Sequence, residues 1–132
     1  MPFRSALKAF QREVDYLRER DVYLRLQKHK VKQVRGCNVP QLLRYDDNWM
    51  VIEITMVQRP FVLDFAGAYL DRATEFSDEV MADWREQKLD QFGKRWPEVQ
   101  AILCVLETYG VFMEDVHPNN VAFVDLKSGA ES

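Results

Sequence analysis

An α+β fold is the reading this chain supports, and three observations carry it: apolar residues at helical spacing near the start, two strand-like runs joined by a polar turn in the middle, and two capped helical segments before a final loop. The expected arrangement is a long N-terminal helix on a small antiparallel β-hairpin or sheet, followed by a helical part. With 132 residues, 47% of them hydrophobic and 30% charged, the chain suits one domain over 1–132 with one core. Its first half, 1–57, would hold the helix and hairpin. Its second, 58–132, would hold the helical part and a loop within 111–125.

From Ser5 to about Lys30, the residues Phe3, Leu7, Phe10, Val14, Leu17 and Leu24 recur at spacings close to three and four, broken by Asp21, which predicts a long amphipathic helix. Arg25, Lys28, His29 and Lys30 would complement the negative end of its dipole. The basic run from Lys28 to Arg35 reads as a solvated helix end, since few aromatics are interleaved to stack bases. Gly36 closes this region. Val39 to Tyr45, the turn Asp46-Asp47-Asn48 and Trp49 to Val57 then spell strand, turn, strand. Trp49, Val51, Ile52, Ile54 and Val57 are too continuously apolar for a strand wet on one face, so the second strand should be central and covered by a helix.

Ser77 before Asp78 and Glu79 is an N-cap signature, predicting a helix to about Phe92 with Val80, Met81, Trp84, Leu89 and Phe92 as its buried face. Gly93 interrupts it. Pro97 opens another helix, with Val99, Ile102, Val105, Leu106 and Tyr109 on one face and Gly110 as its cap, and Val111-Phe112 follows as a short strand.

Several function classes are set aside by composition. A net charge of −3 offers no general attraction to nucleic acid or anionic membrane. No apolar run reaches membrane-spanning length, and the start lacks the apolar core of a secretory signal, so a cytoplasmic location is expected. Cys37 and Cys104 are far apart and lack C-x-x-C spacing, which suggests neither a disulfide framework nor a zinc site.

The most informative stretch runs from Val111 to Asp125, where Asp115 and Asn120 stand five residues apart in D-V-H-P-N-N between two apolar runs. It resembles the D-L-H-P-x-N catalytic loop of the protein-kinase-like superfamily, including its aminoglycoside phosphotransferase branch, with Met113 and Glu114 in place of the preceding His and Arg. In that loop the aspartate accepts the proton of the attacking hydroxyl and the asparagine holds magnesium against the phosphates. The resemblance extends in order through Glu19-Arg-Asp-Val-Tyr-Leu-Arg-Leu26, similar to the helix that carries the family's glutamate, then Val39-Pro40, and Met50 to Met56 leading to the hinge. It therefore implies Asp115 and His117 as catalytic remnants, Glu19 and Asn120 as nucleotide contacts, and Asp115 with Asn120 as ligands for a weakly held magnesium.

Other family parts are expected to be missing. Few residues precede the first predicted helix, leaving no room for the glycine-rich loop or for a strand lysine to pair with the helix glutamate. Leu63-Asp-Phe-Ala-Gly67 invites comparison with D-F-G, but it precedes the loop instead of following it and has Ala66 at the third position. The expected function is thus a degenerate kinase-like module, non-catalytic and partner-binding, with at most weak contact to Mg and ATP. Two alternatives stand: a phosphotransferase completed by another chain, and an unrelated scaffold in which E-D-V-H-P-N-N is a structural turn. As a metal loop, Glu114, Asp115, His117 and Asn120 favour magnesium over zinc, since no second His lies nearby. The apolar stripe of the first helix, together with an uncovered sheet edge, suggests a homodimer through that helix.

Overall fold

The computed structural model describes residues 4–62, 65, 68–71, 77–113, 116–119 and 121–123. Where the apolar spacing predicted the first turns of a helix, the chain forms strand β1 (Ser5–Ala9). After a bend follows α1 (Glu13–Lys28), with Glu13 and Asp15 in its first turn and Arg25 and Lys28 in its last, matching the helix dipole. Two short strands come next, β2 (Gln33–Val34) and β3 (Cys37–Asn38), joined by Arg35 and Gly36 at φ 49° and 82°. Two successive positive φ values are what a two-residue hairpin needs to match strand twist.

The predicted hairpin is present as β4 (Leu42–Asp46) and β5 (Val51–Thr55), antiparallel through four pairs with an irregularity between Leu42 and Arg44. Its turn is fixed by the Asp46 carboxylate, which accepts the N–H groups of Asn48 at 2.9 Å and Trp49 at 3.0 Å. Trp49 is 79% exposed and belongs to the turn, correcting its expected place in the buried strand. Strand β5 is central, as its apolar run predicted, because β1 pairs with its other side over five residues, giving the order β1-β5-β4.

The remaining strands are two residues each: β6 (Phe61–Val62) and β7 (Tyr69–Leu70). Then comes α2 (Asp78–Phe92), capped as predicted by Ser77, whose Oγ accepts the Val80 N–H at 3.2 Å. A single 3-10 turn, Gly93–Arg95, leads into α3 (Trp96–Thr108), which buries Trp96, Val99, Ile102 and Leu106. Strands β8 (Val111–Phe112) and β9 (Val121–Ala122) follow. A four-stranded sheet runs β2-β3-β6-β9, and β7 pairs with β8 alone.

The first-helix expectation needs a second correction. Its buried face is Tyr16, Glu19, Val22, Tyr23 and Leu26, not the stripe of Leu7, Val14 and Leu17. Leu7 lies on β1 and is 72% exposed, Val14 is also exposed, and Phe10 stands before the helix. A strand followed by a bend and a helix reproduced the four-and-three spacing by accident, and the true face contains a glutamate that an apolar count skips. The homodimer stripe therefore does not exist as one helical face. Helix α2 differs likewise: Val80 and Leu89 are exposed, while Lys88 and Phe92 are buried. No described helix is long and apolar enough to cross a membrane.

Candidate functional site

Glu19 sits on the inner face of α1 and is 1% exposed. A buried carboxylate needs hydrogen bonds and a counter-charge to offset its lost hydration. Lys8 supplies them from β1, with Nζ donating to Oε1 at 3.0 Å and to Oε2 at 2.7 Å. The register explains how it arrives there. Ala6 and Lys8 pair with Ile54 and Ile52, so they share the sheet face that α1 covers, while Leu7 and Ala9 point the other way. The expectation that no strand lysine would pair with the helix glutamate is overturned, because the segment assigned to helix is a strand.

This pair lines a cavity of about 320 Å3, within the rough range of 300–1,000 Å3 typical of small-molecule sites. Ala6, Ile54, Met56, Val57 and Pro40 give it apolar walls, and Tyr23 closes it on the helix side. The Lys8 side chain remains a third exposed, so the glutamate-held lysine is not sealed from solvent. An oriented ammonium above an apolar slot can bind an anionic group whose remainder is flat and apolar.

Behind Tyr23 lies Phe65, fully buried, with ring centroids 5.4 Å apart and planes at 89°. Such edge-to-face contact adds to what burial alone contributes. Phe65 belongs to the short stretch between β6 and β7, and two antiparallel pairings frame that stretch. Phe61 and Val62 face Ala122 and Val121, while Tyr69 and Leu70 face Phe112 and Val111. Val62 and Tyr69, which flank that stretch, thus lie beside Val121 and Phe112.

Of the residues singled out in the sequence, Asp115, Asn120, Glu114 and Asp64 lie outside the described residues. His117 is described and half-buried. Its Nδ1 accepts the Asn119 N–H at 3.2 Å, and its carbonyl accepts the Val121 N–H at 3.0 Å. Val116 is fully buried, and its carbonyl accepts a hydrogen bond from Lys88 Nζ. Among the described residues, no group of three or more His, Cys, Asp or Glu is placed to hold a metal ion. Compared with protein-family models, curated proteins and solved structures, the chain finds no match.

Sequence reasoning missed Lys8 and Lys88. The first carried a signal, the alternation of Ala6-Leu7-Lys8-Ala9 ahead of a helix, which a helical reading of the same residues hid. Lys88 carried none, since a lysine within a charged helix ordinarily faces solvent.

Proposed function

We propose that this chain is a kinase-like nucleotide-binding module, in which Lys8, held by Glu19, binds phosphate oxygens and the apolar slot takes the base. The single observation that carries this is the Lys8–Glu19 pair lining the cavity, between a sheet strand and the helix behind it. A lysine held by a helix glutamate is the arrangement with which kinases grip the nucleotide phosphates. The sheet order and the position of β5 before the cavity rim also accord with the resemblance.

The order of the chain counted against Asp64 as a second metal-binding acid. The two pairings that frame its stretch support restoring it, because they anchor its flanks beside those of the Asp115–Asn120 loop whatever the order in sequence. Phe65 adds to that support, since it packs on Tyr23, one helical turn beyond Glu19. In this reading Asp64, Asp115 and Asn120 are the groups that would hold magnesium, whose charge would offset that of the phosphates.

The test is titration of the full chain with Mg–ATP by calorimetry. Saturable binding weakened about tenfold or more in Lys8→Met, with the variant still folded, is the expected result. Wild-type protein that takes up no nucleotide at millimolar concentration would overturn the reading.

A second reading concerns partners, and the outer edge of β1 favours it. Met56 donates to the Arg4 carbonyl and Phe10 to the Met50 carbonyl, both at 3.0 Å, so the even-numbered residues of β1 bond to β5. Ser5, Leu7 and Ala9 then present their N–H and C=O groups outward, a template for a strand from another chain. A homodimer joined through β1, or a phosphotransferase completed by a partner's strand, would use this edge. Sedimentation of Leu7→Lys beside wild type tests it: a wild-type monomer at micromolar concentration argues against self-pairing.

A further inference from the structure

Helix α2 buries only two of its fifteen residues, Lys88 and Phe92. A lysine takes one of these two places with 8% of its surface exposed, although burying an ammonium is costly unless polar groups surround it. They do. Lys88 Nζ donates to the Val116 carbonyl and to Gln91 Oε1 at 3.0 Å, and it stands 5.6 Å from the centre of the Trp84 ring. Of these contacts, Gln91 and Trp84 belong to α2 itself, whereas Val116 lies 28 residues away in the loop between β8 and β9.

Among the described residues, the loop is also fastened by the Asn119 N–H to His117 Nδ1 and the Val121 N–H to the His117 carbonyl. Both are local and shape the turn without locating it against the rest of the molecule. The Lys88 contact ties it to α2, as the buried Val116 side chain ties it to the core. Val116 precedes His117 in sequence, so a cation bonded to its carbonyl holds the peptide that joins Val116 to His117.

We propose that Lys88 is a positioning residue for the turn 116–119 between β8 and β9, its ammonium fixing the peptide of Val116 against α2. An apolar residue could have filled the same space and left the carbonyl without its donor. A charged donor gives the stronger hydrogen bond. This placement does not depend on the nucleotide reading. Only its consequence for cation-dependent binding rests on that reading.

Two measurements on the full chain test it, using Lys88→Met and Lys88→Arg. In amide hydrogen exchange, Lys88→Met should speed exchange at Asn119 and Val121 by about tenfold or more while the β4–β5 amides stay at wild-type rates, and Lys88→Arg should restore most of the protection. Unchanged exchange at Asn119 and Val121 would overturn the proposal. So would acceleration spread equally over all strands, since that marks a global loss of stability. If Lys88→Met does not fold, Lys88→Arg decides by the same two amides. The second measurement is ATP binding with and without magnesium. Lys88→Met should lose the magnesium-dependent gain and keep the magnesium-free affinity set by Lys8. Retention of the full magnesium-dependent gain would overturn the proposal. Wild-type protein that binds no nucleotide would sink the nucleotide reading alone, and the exchange result would then decide the role of Lys88.

Discussion

Arg25 and Asp71, 46 residues apart, meet in a two-point ion pair, with Nη1 to Oδ1 at 2.8 Å and Nη2 to Oδ2 at 2.7 Å. Arg25 also donates to the Tyr109 carbonyl at 3.0 Å, and the Asp71 N–H donates to the Gly110 carbonyl at 2.7 Å. The end of α1, the residue after β7 and the cap of α3 are therefore tied at one point, beside a cavity of about 400 Å3 that His29 and Glu107 also line.

Gly110 makes this knot possible. It has φ +82°, and a Cβ built there would lie 2.5 Å from Asp71 Oδ1 and closer still to Arg25. Gly110→Ala should then destabilise the fold by about 1–3 kcal/mol, combining backbone strain with a displaced ion pair. Urea unfolding checks it, and a loss under half a kcal/mol, the rough range of neutral surface changes, would contradict it.

Acid should loosen the same knot. Hydrogen bonding from Arg25 holds the Asp71 carboxyl below its ordinary range, so its contribution is present above the unfolded-state value and is lost as pH falls through the lowered folded-state value. Asp71→Asn should lower stability at neutral pH and flatten its fall below about pH 4, so that variant and wild type converge in acid. Thermal melts from neutral pH downward measure both.

Removing one member of the Lys8–Glu19 pair should cost more than removing both. Lys8→Met takes the ammonium from a carboxylate that is 1% exposed, a change on the order of 3 kcal/mol. Lys8→Met combined with Glu19→Leu should recover most of that stability while nucleotide affinity stays low. If the double variant is as unstable as the single one, the two residues are not coupled as the geometry indicates.

Tyr16 gives a prediction at the opposite end of the pH scale. Burial, together with its hydrogen bond to Asp47 at 2.6 Å, pushes its phenol from the ordinary 10.0 up to about 12. Its stabilising contribution is therefore whole below the ordinary value and is lost as pH rises through the folded-state one. Tyr16→Phe should cost about 1 kcal/mol at neutral pH. The difference in phenolate absorbance between wild type and variant should show one late-titrating group.

The parts of the fold that could be read in the sequence are those whose cause is local. Asp46 to Asn48 announces its turn because the Asp46 side chain bonds the next amides, and α3 announces itself through Pro97, Gly110 and the face of Val99, Ile102 and Leu106. Strand β1 was illegible because its partner β5 lies more than forty residues away, and a five-residue strand before a bend can mimic helical spacing. Strands β6 to β9 have two residues each, too few for any period to show. Of the candidate site, Glu19 was singled out through the resemblance of Glu19 to Leu26 to a kinase-like helix. Its strand partner stayed hidden for the same reason as β1.

The pairings β6–β9 and β7–β8 also bear on the order in which the protein assembles. The hairpin β4–β5 closes over a short turn and can form early, but Val62 meets Val121 and Tyr69 meets Phe112 only after the chain has travelled through both α2 and α3. Closing so long a span costs more chain entropy than closing a hairpin, and contacts of high sequence separation slow folding. The two short pairings that bracket the β8–β9 segment should therefore close after the β4–β5 hairpin.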